Sequence, residues 1–60
     1  MTHAEDIVSY IGTIWDFIQG KNEAEIREII LQDAQMQERP EWLLANVDEI
    51  AREAAREVEA

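Results

Sequence analysis

Isoleucines in the first third of the chain recur at helical spacing. Four of them are separated by four, three and four positions, which places them on one face of an α-helix: Ile7, Ile11, Ile14 and Ile18. Thr2 and Glu5 match a capping box, in which each side chain satisfies a free backbone N–H. Gly20 suits the left-handed residue that ends many helices. The pattern predicts one helix from Thr2 to the residue before Gly20.

Two more segments have helical spacing. Asn22 and Glu25 repeat the capping pattern. The apolar stripe that follows them, with Leu31 and Met36 at its margins, is Ile26, Ile29, Ile30 and Ala34. Pro40 suits the first turn of a third helix, where its missing N–H costs nothing. The predicted buried face of that helix is Leu43, Leu44, Val47, Ile50, Ala51, Ala54 and Val58.

The fold class follows from these three segments. No stretch alternates apolar and polar residues, and no Asn-Gly or Asp-Gly turn occurs, so strands are not expected. We predict an all-α fold, a compact bundle of three short helices forming a single domain over residues 1–60. The alternative is a helical hairpin whose second helix is long and kinked at Pro40. A proline inside a helix costs about 3 kcal/mol, which favours the broken version.

Length and composition limit what stabilises such a bundle. The chain has 60 residues, no cysteine and one histidine. Disulfides, thiolate zinc sites and histidine-rich metal sites are therefore excluded. A short chain then depends on well-packed helices, a second copy in a homodimer, or another protein. A cysteine-free chain suits a reducing compartment. The start lacks a basic segment and a continuous apolar run, so we expect a cytoplasmic protein.

The charge balance restricts the partners. Fourteen acidic and five basic side chains give a net charge of −9. This field repels nucleic acid and anionic membranes and attracts basic surfaces. The outward side of the third segment is mostly glutamate, with predicted Asp48–Arg52 and Glu53–Arg56 pairs. We therefore expect no direct binding to nucleic acid and no membrane association.

The carboxylates form no catalytic pattern. Glu25 and Glu28 lie one turn apart, and so do Glu49 and Glu53. Di-metal helical bundles use Glu-x-x-His pairs, whereas the one histidine here is His3, near the start. The sequence contains no nucleophile–base set and no phosphate-binding glycine loop. We expect no enzyme, no metal and no cofactor, and interpret the carboxylates as a solvated surface.

The aromatic residues are the candidates for binding. Trp15 lies on one edge of the first apolar arc, with Val8, and Tyr10 and Phe17 lie on the other. Either the bundle buries the whole arc, or one edge faces a partner. Trp42 lies away from the apolar stripe of its own helix. It is either packed locally against Met36 or Arg39, or an anchor for a partner whose loss weakens binding and spares folding.

These features predict a small acidic protein-interaction module. It would act as an adaptor or inhibitor by occupying the surface of a partner protein, itself basic, and the predicted partner-binding residues are Tyr10, Trp15, Phe17 and Trp42. The alternative is an acidic mimic of nucleic acid that blocks a DNA- or RNA-handling protein. Net charge favours mimicry, but the arginines interleaved with the glutamates count against it.

Overall fold

The structure is a computed structural model that describes residues 3–36 and 41–59. It contains four α-helices: α1 (His3–Thr13), α2 (Trp15–Ile18), α3 (Glu23–Met36) and α4 (Glu41–Glu59). The predicted all-α bundle is confirmed, and the described ranges contain no strand. The predicted cap at Thr2 and the break at Pro40 lie outside those ranges. None of the four helices has the length and apolar character needed to cross a membrane.

The first predicted helix is divided at Ile14, so the prediction of one continuous helix is wrong there. Ile14 has φ −109° and ψ 10°. Its N–H donates to the Ile11 carbonyl at 3.2 Å, and the Phe17 N–H donates to the Ile14 carbonyl at 2.9 Å. Both bonds span three residues, as in a tighter turn. The Thr13 hydroxyl donates to the Tyr10 carbonyl at 2.7 Å, which competes with the regular backbone ladder.

The turn between α2 and α3 has the features expected from its sequence. Gly20 has φ +75°, the left-handed conformation that glycine adopts without strain. The Asn22 side-chain oxygen accepts the Glu25 N–H at 2.9 Å, and a Glu25 carboxylate oxygen accepts the Asn22 N–H at 3.3 Å. The second capping box is therefore confirmed. Together these features reverse the chain and start α3 at a fixed point.

The helices α3 and α4 form an antiparallel pair. Arg27 Nε lies 3.1 Å from Asp48 Oδ1, and Ala34 shares a cleft with Leu44. Contacts further along α3 thus involve earlier positions of α4, which is the pattern of two helices running in opposite directions. One long helix kinked at Pro40 is incompatible with this pairing, and the three-segment bundle is correct.

The core lies where the three long helices meet. Its buried side chains are Ile7, Ile11, Ile14, Ile18, Ile26, Ile30, Ala34, Leu43, Val47, Ile50, Ala51, Ala54 and Ala55. The sequence patterns anticipated all of them except Ala55. Leu44, predicted to be buried, is 52% exposed. Leu44 is exposed because it lines an open cleft of about 370 Å³, which it shares with Leu31, Ala34 and Gln35.

Candidate interaction surfaces

A ring cluster joins α1 to both other long helices. The Tyr10 hydroxyl donates to Asp33 of α3 at 2.6 Å. The Trp42 ring of α4 lies edge-to-face with Tyr10, at a centroid distance of 6.3 Å, and with His3, at 6.4 Å. His3 Nε2 also lies 3.1 Å from Glu49 Oε1. Edge-to-face aromatic pairs add to the stability gained from burial, so this cluster fixes the position of α1.

Trp42 is half-buried and packs against the core. Its ring neighbours are Tyr10 and His3. On a helical wheel of α4, the apolar stripe that meets α3 is the only face that stands out as buried. Trp42 and Glu49 lie two turns apart on a second face, and that face meets α1. Whether Trp42 also binds a partner stays a prediction.

The environment of Tyr10 holds its hydroxyl in the neutral form. Burial raises the pKa of Tyr10 well above its usual value of about 10. The hydrogen bond to Asp33 and the negative charge of that carboxylate raise the pKa of Tyr10 further. A tyrosinate at this position would lose the hydrogen bond that it now donates and would face a carboxylate 2.6 Å away.

This environment predicts a loss of stability at alkaline pH. The folded pKa of Tyr10 lies above its unfolded value. Its contribution to stability is therefore complete below about pH 10 and is lost as the pH rises towards the folded pKa. We expect the free energy of unfolding to fall above pH 10, and to fall less steeply in Tyr10→Phe. Tyr10 is the one tyrosine in the chain, so near-ultraviolet absorbance of tyrosinate follows it directly. Ionisation near pH 10 in the folded protein would contradict this expectation.

A groove follows the seam between α1 and α4, and we call it the α1–α4 groove. One part has a volume of about 260 Å³ and is lined by Val8, Ile11, Gly12, Trp15 and Glu57. The adjoining part, about 270 Å³, is lined by Ala4, Ile7, Val8, Glu49, Glu53 and Arg56. Val8, which is 69% exposed, lines both parts, so the two depressions adjoin at this side chain. Its α1 side is apolar and its α4 side is mainly acidic.

A second groove, the Phe17 groove, lies on the other side of the first helical segment. It has a volume of about 440 Å³ and is lined by Thr13, Ile14, Phe17, Ile29, Gln32, Asp33 and Met36. Phe17 and Met36 are exposed at its margin. Its one acidic lining residue, Asp33, accepts the Tyr10 hydroxyl.

The four predicted binding residues therefore fall into three places. Tyr10 and Trp42 contact each other inside the bundle. Trp15 lies in the α1–α4 groove, and Phe17 lies in the other groove. The two edges that the sequence offered as alternatives each have a groove. Sequence reasoning missed Glu57 as a groove residue, and no signal within α4 indicates that α1 packs beside it.

The charged side chains lie at the surface. Arg56 pairs with Glu53 at 2.8 Å, as predicted, whereas Asp48 pairs with Arg27 of α3 instead of Arg52. Residues 3–36 and 41–59 contain no group of three or more histidine, aspartate or glutamate side chains placed to hold a metal ion. Both grooves are open and largely apolar. Such geometry suits contact with another macromolecule.

Comparison with protein-family models, with curated proteins and with solved structures finds no match to this chain.

Proposed function

We propose that this chain is a protein-interaction module that acts as an adaptor or inhibitor by occupying the surface of a partner protein. The observation that supports this proposal is the set of large apolar side chains left at the surface. Four of them line the two grooves: Val8 (69% exposed), Trp15 (39%), Phe17 (68%) and Met36 (85%). The fifth, Leu44 (52%), lines a separate cleft and is not part of the proposed contact. Their exposure contrasts with the completely buried isoleucines of the core.

The position of these side chains strengthens the argument. Single exposed apolar residues are ordinary, but apolar residues gathered along a groove are typical of interaction sites. Trp15 and Phe17 belong to the classes of residue that are enriched in interface centres, and each lines a groove. In this proposal, the partner is anchored at one of these two grooves, while Tyr10 and Trp42 hold α1 in place within the bundle.

The mechanism is steric and electrostatic. Apolar anchors supply the affinity by leaving water, and the net charge of −9 accelerates encounter with a basic surface. The partner is blocked or recruited because its surface is covered. The absence of cysteine suits action in a reducing compartment, so we place it in the cytoplasm.

Affinity capture from a nuclease-treated lysate tests this proposal. The immobilised protein, the double variant Trp15→Ala/Phe17→Ala and the control Leu44→Ala are washed at low and high salt. We expect wild type and control to retain one partner in stoichiometric amount at high salt, and the double variant to lose it, because apolar interfaces respond weakly to ionic strength. Equal capture by the double variant, or no capture by wild type, would contradict the proposal. If high salt removes the partner from the wild type, and the double variant still captures it at low salt, the result would favour the nucleic-acid mimic.

A further inference from the structure

We propose that the α1–α4 groove binds an amphipathic helix whose apolar stripe is edged by lysine or arginine. This inference rests on the proposed function and assigns to it one surface and one class of partner. Two rows of side chains carry it, one apolar on α1 and one acidic on α4.

The two rows have the same spacing. Glu49, Glu53 and Glu57 follow one another at intervals of four along α4, and Ala4, Val8 and Gly12 do so along α1. Residues four apart lie on the same face of a helix. Ala4 and Glu49 line one end of the groove, and Gly12 and Glu57 line the other. Each row extends about 12 Å along its own helix, somewhat more than two turns, and both rows line the groove.

The apolar row leaves room for a helix. Val8 is exposed in the middle of the groove, and a Cβ added at Gly12 would meet nothing within 4 Å. Trp15 lines the same part of the groove as Gly12. A helix laid here would place apolar residues of successive turns against Val8 and Trp15. Helices bind apolar grooves in this way, through anchors three or four positions apart.

The acidic row decides the charge of the partner. Glu49 is paired with His3, and Glu53 with Arg56, whereas Glu57 has no ion-pair partner within residues 3–36 and 41–59. Glu57 lies at the Trp15 end of the groove. A lysine or arginine of the partner at this place would pair with the Glu57 carboxylate and lie against the indole ring of Trp15. A second copy of the chain would instead bring one charge of −9 against another, which disfavours self-association.

The Phe17 groove can be compared with the α1–α4 groove within the same protein. It too is lined mainly by apolar side chains, but its one acidic lining residue already accepts the Tyr10 hydroxyl. It therefore lacks a carboxylate row that would select a basic helix. Variants of Phe17 consequently control for general loss of exposed aromatic surface.

Synthetic helical peptides of about 18 residues, five turns, test the inference by calorimetric titration. One peptide has leucines on one face edged by lysines. A second has the same composition in an order that is not amphipathic, and a third has glutamates in place of the lysines. We expect saturable one-to-one binding of the first peptide only. Trp15→Ala and Glu53→Gln/Glu57→Gln should each weaken its binding at least about ten-fold, as loss of a hot-spot residue does.

Matched variants separate this site from the rest of the surface. Phe17→Ala, and Glu23→Gln/Glu28→Gln on α3, should change affinity by less than about two-fold, as expected for charges and side chains outside the interface. Gly12→Leu fills the open space in the groove without contacting the core, so it should keep the fold and block binding. Circular dichroism of each variant verifies folding, and Gly12→Leu remains decisive if Trp15→Ala fails to fold.

Four outcomes would overturn the inference: equal binding of the non-amphipathic peptide, binding of the glutamate peptide, no binding of any peptide, or self-association of the chain through this groove. A partner whose binding depends on Phe17 and is unaffected by Trp15→Ala would also overturn it, while leaving the proposed function intact. Conversely, peptide binding as expected with no captured cellular partner would count against the proposed function alone.

Discussion

Replacing Ile50 with alanine is expected to lower the free energy of unfolding by about 2–5 kcal/mol, the range for removing a buried isoleucine. Ile50 is completely buried in the middle of α4, within the core that all three long helices share. A domain of this size has a total stability of roughly 3–9 kcal/mol. The variant should therefore be partly unfolded at room temperature, as thermal and urea denaturation followed by circular dichroism will show.

Leu44→Ala is the matched control on the same helix. Leu44 is half exposed beside an open cleft, so we expect a loss below about 1 kcal/mol. Both variants shorten an aliphatic side chain to alanine, but Ile50 is completely buried and Leu44 is half exposed. Comparable losses in Ile50→Ala and Leu44→Ala would mean that the cleft beside Leu44 is closed in solution and that the core is larger than described.

Trp42→Ala is expected to lower the free energy of unfolding by about 2–3 kcal/mol, somewhat less than the loss of a fully buried tryptophan. The half-buried ring contacts Tyr10 and His3 on α1 and packs against the core. This expectation differs from the interpretation of Trp42 as a partner anchor, in which the substitution spares folding. Denaturation should show reduced stability, and amide hydrogen exchange should show loss of protection concentrated in α1.

Trp42→Phe is the conservative variant for this position. It keeps an aromatic edge for Tyr10 and should recover at least half of the lost stability. If Trp42→Ala instead leaves stability unchanged and abolishes partner capture, Trp42 is a binding anchor, as one interpretation of the sequence held. Loss of stability with no recovery in Trp42→Phe would assign the effect to volume and not to the aromatic pair.

The fold was largely predictable because its determinants are local. The capping box at Asn22 and Glu25 and the left-handed Gly20 are features of short segments, and the structure contains both. The helical spacing of the isoleucines predicts most of the core for the same reason. The break at Ile14 was not predictable from spacing, because the apolar pattern continues across it while the Thr13 hydroxyl takes a backbone carbonyl.

The candidate surfaces were only partly predictable. The two aromatic edges around Trp15 and Phe17 follow from the angular separation of residues on one helix. What lies opposite each edge depends on how helices distant in sequence pack. The ring of Trp42 and the carboxylate of Glu57 both face α1, and no pattern within α4 distinguishes that face from a solvated one. For the same reason, the apolar spacing of α4 does not distinguish Leu44, which lines an open cleft, from the core residues beside it.

The seam between α1 and α4 also closes a long loop of the chain. His3 and Glu49 are 46 positions apart, whereas Arg27 and Asp48 are joined through a shorter chain segment. Longer loops lose more entropy on closing, so we expect the seam to open more readily than the α3–α4 pair. A helix bound along this seam would contact both α1 and α4 and hold them together. By mass action, occupancy of the groove would then protect the whole domain against proteolysis.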